Sequence, residues 1–305
     1  MKVLLTGATG QLGNAVVSYY EKFLTKNNIN LIVPSRKELD FNDFNSVKKV
    51  IKFHEPNWII NSAAYTAVDQ AEDEKTAARN LNTLVPIKIA EIMKDYGGKF
   101  LQISSDYVFS GSQNLPYKTS QSINPINFYG KTKAECERGL LKVLGENSFI
   151  LRTSWVYGTT GKNFLLTMLK LHKKFSNESI PLKVVVDQIG VPTNVKGLAK
   201  CCWKIINKKE NSRNIYHWSD AGVTSWYDFA VAIGEMSVSI NLLKDCAEVL
   251  PIKTSEFPSK AKRPSYSVLD TFSSLRELKL KNKHWKRTLL DTLLEIKDLN
   301  LIEKI

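Results

Sequence analysis

A doubly wound α/β fold around a parallel sheet, with a smaller C-terminal lobe, is predicted by three features of the sequence. Short apolar runs alternate with longer stretches of helical periodicity through the first half of the chain. The runs lack a strict two-residue alternation, as expected of strands covered on both faces. The first of them, residues 1–6, passes directly into a turn holding Gly7, Gly10 and Gly13.

The elements follow in order. Residues 1–6 read as a buried strand, and the helix behind the glycine turn carries Asn14, Ala15, Val16, Val17, Tyr20 and Phe23. Residues 30–33 form a second strand, ended by Pro34 because proline cannot donate to a central ladder. A helix fits 44–53, a buried strand 58–61, and long helical stretches 71–96, interrupted near Pro86. Strand character returns at 99–104, followed by a helix over 134–144 and a strand over 149–152. After Trp155 the rhythm changes. A helix over 163–173 and a strand over 182–186 precede punctuation at Pro192-Thr193, then helices over 195–206 and 223–233. A less regular stretch crosses Pro251, Pro258 and Pro264 before an amphipathic helix within 285–296. Residues 1–154 are therefore read as the first domain, rejoined by part of 184–215. Residues 155–183 and 216–305 supply most of the second lobe.

Bulk properties narrow the function classes. At 305 residues and 43% hydrophobic content, the chain can bury a substantial core. No run approaches the ~20 apolar residues that span a bilayer, and no cationic segment with an apolar stretch opens the chain. A membrane partner is not expected, and a cytoplasmic location is. Cys136, Cys201, Cys202 and Cys246 form no C-x-x-C pair and read as buried thiols. His54, His172, His217 and His284 have no metal-site spacing, so no metal ligands are assigned. The net charge of +13 would suit a polyanion. The lysines are scattered, however, and no basic stripe alternates with aromatics, so a nucleic-acid polymer is not an expected partner.

The strand–glycine–helix order gives the glycines a purpose. They permit a tight turn and close approach of a ligand, while a helix N-terminus offers unpaired N–H groups to phosphate. The Gly-x-x-Gly-x-x-Gly spacing differs from the common dinucleotide fingerprint, and a Gly-Lys-Ser/Thr ending for ATP hydrolysis is lacking. Gly7, Thr9, Gly10, Gln11, Leu12 and Gly13 are the expected cofactor contacts. No acidic residue directly follows the second strand; Ser35 and Arg36 stand there. Arg36 suits either a ribose 2′-phosphate, which favours NADPH, or a surface salt bridge, so NADPH and NADH both stay open. Asp40 borders the expected adenosine site. Ala63, Ala64 and Tyr65 lie just after another strand, where ligands of open α/β sheets bind.

Tyr129 and Lys133 are spaced Tyr-x-x-x-Lys. On a helix, residues four apart share a face, so phenol and ammonium can meet in one cleft. Lys133 would favour the phenolate and ease proton exchange with an alcohol oxygen. Both residues also fall to the expected cofactor site. Ser105, in the turn after 99–104, is the choice for a hydroxyl on the substrate oxygen, although a cap or turn role has comparable weight.

At this point the sequence resembles the dTDP-4-dehydrorhamnose reductases, within the extended short-chain dehydrogenase/reductases. The matching words are Thr6-Gly7-Ala8-Thr9-Gly10-Gln11-Leu12-Gly13, Asn61-Ser62-Ala63-Ala64-Tyr65-Thr66-Ala67-Val68-Asp69 and Ser104-Ser105-Asp106-Tyr107-Val108-Phe109. Tyr129-Gly130-Lys131-Thr132-Lys133 and Leu151-Arg152-Thr153-Ser154-Trp155-Val156-Tyr157-Gly158 continue them. The more specific words are Asp187-Gln188-Ile189-Gly190-Val191-Pro192-Thr193, Ser225-Trp226-Tyr227-Asp228-Phe229-Ala230 and Lys262-Arg263-Pro264. They cover nearly the whole chain.

The resemblance implies a Rossmann fold with a substrate-binding C-terminal lobe. It implies reduction of dTDP-4-dehydro-β-L-rhamnose to dTDP-β-L-rhamnose for surface polysaccharides, with a dTDP-sugar as small-molecule partner. It gives Tyr129 as proton donor and Lys133 as its partner and ribose contact. Ser105 stands where the family commonly has threonine. Asp106, Tyr107, Trp155, Gln188, Thr193 and Arg263 fall on the implied substrate side. Lys118-Thr119-Ser120 departs from the family, which often has an acidic residue after Pro116-Tyr117. The resemblance also allows a homodimer and a non-catalytic Mg2+ without an assignable ligand set. Two rivals share these motifs: a nucleotide-sugar epimerase or dehydratase, and a non-catalytic NAD(P)-binding subunit similar to the regulatory subunit of methionine adenosyltransferase.

Overall fold

Val3, Leu4, Leu5, Ile59, Ile60, Phe100, Leu101, Ile150 and Leu151 are all fully buried, because the sheet they build is covered on both faces. The computed structural model describes residues 1–208, 210 and 212–303. Its first part runs β1 (Lys2–Thr6), α1 (Gln11–Phe23), β2 (Asn30–Ile32), α2 (Phe44–His54) and β3 (Trp58–Asn61). Then come α3 (Lys75–Arg79), α4 (Val85–Lys94), β4 (Lys99–Ser105), α5 (Phe128–Leu144) and β5 (Ser148–Thr153). The remainder is β6 (Val156–Tyr157), α6 (Phe164–Glu178), β7 (Leu182–Val185), β8 (Ile189–Gly190), β9 (Thr193–Asn194) and α7 (Val195–Ile206). It closes with β10 (Ile215–His217), β11 (Thr224–Ser225), α8 (Trp226–Ser239), β12 (Val249–Ile252), α9 (Phe272–Leu278) and α10 (Trp285–Asp298).

Six parallel strands form the main sheet in the order β10-β5-β4-β3-β1-β2. The chain moves outward from β1 to β2 and then returns to place β3 on the other side. The crevice at this reversal, beyond the carboxyl ends of β1 and β3, is where open α/β sheets bind ligands. One sheet face is packed by α1 and α7, with Val16, Leu198, Cys201 and Trp203 in a common core. The other is packed by α2, α4 and α5 through Val47, Ile51, Ile89, Met93 and Leu140. A separate core joins α6, α8 and α10 through Leu165, Leu169, Phe229, Ile233, Leu289 and Leu293. No helix among the described residues is long and apolar enough to cross a membrane.

Several elements differ from the sequence expectation. Helix α5 starts at Phe128 rather than at 134, because Asn127 caps it by accepting from Gly130 N at 2.7 Å. Helix α8 starts only at Trp226 and runs on to Ser239, with Ser225 and Asp228 forming a reciprocal capping box. Residues 71–96 are broken into α3, a π turn at Asn80–Leu84 and α4. Pro86 lies in the first turn of α4, where its missing N–H costs no helical hydrogen bond. Strands β10 and β12 and helix α9 were not anticipated. The two strands are only 3 and 4 residues long, and their partners β5 and β7 are remote in sequence.

Candidate active site

The glycine turn is built by close backbone packing. Gly7 has a φ of 69°, in the left-handed region, and a side chain there would strike the backbone of Ala63 at 2.6 Å. A side chain on Gly13 would lie 2.2 Å from the Gly7 carbonyl oxygen, so helix and strand approach closely only without one. Gly10 N donates to that same carbonyl at 3.0 Å. Gly10 also occupies the N-cap of α1 and provides no side-chain cap, which leaves the first N–H groups of the helix available to phosphate. Substituting Gly13→Ala is expected to lower stability by about 1–3 kcal/mol and to abolish cofactor retention. Thermal unfolding and a cofactor titration check both.

Two cavities meet at this turn. One, of about 680 Å³, is lined by Gly7, Thr9, Arg36, Asp40, Ala63 and Tyr65. The other, of about 510 Å³, is lined by Gln11, Leu12, Ser105, Tyr129, Lys133 and Trp155 among others. Gly10, Ser62, Ala63 and Ala64 line both, so the two form one trough across the carboxyl ends of the strands. Thr6 donates to Asn61 at 2.5 Å, and Asn61 donates to Gln102 at 2.7 Å, locking three adjacent strand ends beneath it. The trough fits a dinucleotide: a phosphate-ready helix end, glycine where the backbone must approach, and exposed Arg36, which forms no ion pair among the described residues. Asp40 instead accepts from Asn42 N in its own turn.

The chemistry-bearing side chains converge from α5 and the end of β4. Lys133 is buried and donates to the Ile103 carbonyl at 2.7 Å. Burial pulls its pKa below the ordinary lysine value, opposed by Cys136 and by Glu137 one turn further along. Tyr129 is pushed up to about 12 by burial and by Asp106, while the neighbouring Ser105 hydroxyl pulls the other way. The phenol therefore holds its proton at neutral pH. Its ring meets Tyr107 edge-on at 6.0 Å. Ser105 plays both roles open to it in the sequence. It accepts from Tyr107 N at 3.1 Å as a cap, and it faces the cavity. Its own proton goes to Asp106 at 2.8 Å.

The other expected substrate contacts divide. Asp106, Tyr107 and Trp155 line the cavity, whereas Gln188, Thr193 and Arg263 do not. Gln188 donates to Thr254 at 3.2 Å, and Thr193 is fully buried on β9. Arg263 pairs with Asp69 at 2.6 Å; burial raises the Asp69 carboxyl, but hydrogen bonds from Arg263, Ala261 N and Ser259 bring it down to about 2. Trp226, for which the sequence suggested no role, stacks on Trp155 at 3.5 Å and 8° and lines the same cavity. Trp155 has a φ of 45°, in the left-handed region, and its ring occupies the space a Gly190 side chain would need. The aromatic content of Ser225-Trp226-Tyr227 was the only available signal. Among the described residues, no three His, Cys, Asp or Glu side chains gather as a metal ligand set.

Comparison with known proteins agrees with this geometry. The family profile described as RmlD substrate binding domain matches residues 1–297. A dTDP-4-dehydrorhamnose reductase of Aggregatibacter actinomycetemcomitans is 39% identical, covering 94% of this chain and 97% of that one. This chain belongs to the dTDP-4-dehydrorhamnose reductase family. Solved structures of the family superpose closely. That of Clostridium acetobutylicum has a TM-score of 0.85 at 36% identity, covering 97% of this chain and all of the other. That of Bacillus anthracis, solved in complex with NADP, has a TM-score of 0.83 at 34% identity, covering 96% and 99%. The Rossmann-like fold of these structures is the sheet described above.

Proposed function

We infer that this chain is an NAD(P)H-dependent oxidoreductase that reduces dTDP-4-dehydro-β-L-rhamnose to dTDP-β-L-rhamnose. The observation that carries this reading is the convergence of Ser105, Tyr129 and Lys133 on one trough with the uncapped end of α1. The reduced nicotinamide supplies the hydride when bound. The chain's own residues bind, orient and protonate. Tyr129, carrying its proton at rest, donates it to the C4 oxygen as negative charge develops there. Lys133 lies in the same cavity wall, where its ammonium lowers the cost of the resulting phenolate. Ser105 supplies a hydroxyl beside the same oxygen. Trp155 and Trp226 offer an apolar wall for the sugar. The four cysteines are free thiols, in keeping with a cytoplasmic reaction.

Arg36 supports NADPH as the better donor, because it forms no ion pair among the described residues and lines the adenosine end of the trough. Arg36→Ala is expected to cut kcat/KM for NADPH about tenfold or more while leaving NADH nearly unchanged, as loss of a charged hydrogen bond predicts. Steady-state kinetics with each cofactor check this; equal losses would remove Arg36 from phosphate recognition.

The function is tested by supplying the keto sugar nucleotide with each reduced cofactor and identifying the product. A reductase oxidises one cofactor per sugar reduced. An epimerase or dehydratase regenerates its cofactor within the turnover, and a regulatory subunit binds cofactor without turning over.

A further inference from the structure

We propose that Asp106 reloads the proton donor, returning a proton to Tyr129 through the Ser105 hydroxyl after each reduction. This inference rests on the reductase reading of the same site. The Asp106 residue is 2% exposed, and among the described residues its Oδ2 is buried without a hydrogen-bond partner. The other, Oδ1, accepts the Ser105 proton at 2.8 Å. Ser105 in turn accepts from Tyr107 N at 3.1 Å and lines the same cavity as Tyr129, whose phenol its hydroxyl influences. The groups facing this carboxyl are thus Ser105 and Tyr107 on its own segment, Tyr129 on α5 and Ser267 from the C-terminal lobe. Lys133 donates to the Ile103 carbonyl at 2.7 Å.

Burial pushes the Asp106 carboxyl up to about 6, against the pull of the Ser267 and Ser105 hydroxyls, so it takes and gives a proton close to neutral pH. Reduction leaves Tyr129 as phenolate. The Asp106 O–H bond then breaks as a proton passes to Ser105 Oγ, while the original Ser105 proton passes to the Tyr129 oxygen. Ser105 ends unchanged, Tyr129 is a phenol again, and Asp106 is a carboxylate that takes up from solvent the one proton each reduction consumes. No electrons move in this step.

Asp106→Asn keeps the shape of the side chain and removes its acidic proton. In rapid mixing with NADPH and the keto sugar nucleotide, this variant should oxidise about one cofactor per site in an initial burst. Later turnovers should slow about tenfold or more while tyrosinate absorbance persists. Formate or acetate should restore steady turnover to Asp106→Ala, and cofactor titration confirms that each variant is folded. First and later turnovers that slow together, or neither slowing, would overturn the relay, as would the absence of rescue. A parent enzyme that consumes no reduced cofactor would instead overturn the reductase reading.

Discussion

Tyr129→Phe should lower kcat by about 10²–10⁴-fold, the range typical of a lost general acid. The Kd for NADPH should change little. The reason is the division of labour within the trough. In the proposed reading, most of the cofactor's binding comes from backbone N–H groups at the end of α1, Arg36 and the glycine turn, which lie apart from the Tyr129 hydroxyl. The ring itself packs edge-on against Tyr107 and is retained by phenylalanine, so the fold should persist. What disappears is one proton, held at rest by a phenol whose pKa burial and Asp106 raise to about 12. Turnover and a cofactor titration on the same preparation separate the two effects. A variant with parental kcat would remove Tyr129 from the donor role.

Arg152→Met should destabilise the protein by about 3–5 kcal/mol, because it leaves a buried carboxylate unpaired. Arg152 on β5 and Glu137 on α5 are paired at 2.6 Å, with side chains 3% and 1% exposed. Ser104 on β4 donates to Glu137 at 2.5 Å, and the Phe109 ring lies under the guanidinium at 5.1 Å. Removing the arginine strands a carboxylate in a medium that cannot solvate it. His217, whose Nε2 lies 3.3 Å from Arg152, is held neutral in the parent protein by burial and by the same arginine, which drive its pKa down to about 3. Denaturant unfolding of the single variant and of Arg152→Met with Glu137→Leu makes the mechanism visible. The double variant should recover much of the loss, because neither charge is then left unpaired. A double variant as unstable as the single would assign the effect to packing.

The parts of the fold legible in the sequence were those written in consecutive residues. The apolar runs at 58–61 and 99–104 correspond to β3 and β4, and the glycine turn lies where an uninterrupted strand runs into a helix. The start of α5 was missed because its signal is a single cap, Asn127, ahead of a glycine and a tyrosine that read as turn residues. β10 was missed because three residues carry no periodicity, and the parallel partner that defines it lies more than sixty positions earlier.

The site divides the same way. Tyr129 and Lys133 share a helix, so their spacing was informative. The Trp155–Trp226 stack, the Arg152–Glu137 pair and the Asp69–Arg263 bridge join residues that only the folded topology brings together. Arg263 illustrates the cost. The family resemblance implied a place for it on the substrate side, yet in the fold it is paired with Asp69. Ser105 shows the opposite case, since its hydroxyl was anticipated but the direction of its proton, toward Asp106, was not.

The central claim is that hydride reaches C4 of the sugar directly while Tyr129 protonates the oxygen above it. NADPH deuterated at the transferring position of its ring, supplied with dTDP-4-dehydrorhamnose in ordinary water, tests this most directly. The account predicts one deuterium at C4 of the product and one cofactor oxidised for each sugar reduced. Deuterium at any other carbon, or C4 hydrogen drawn from solvent, would contradict it.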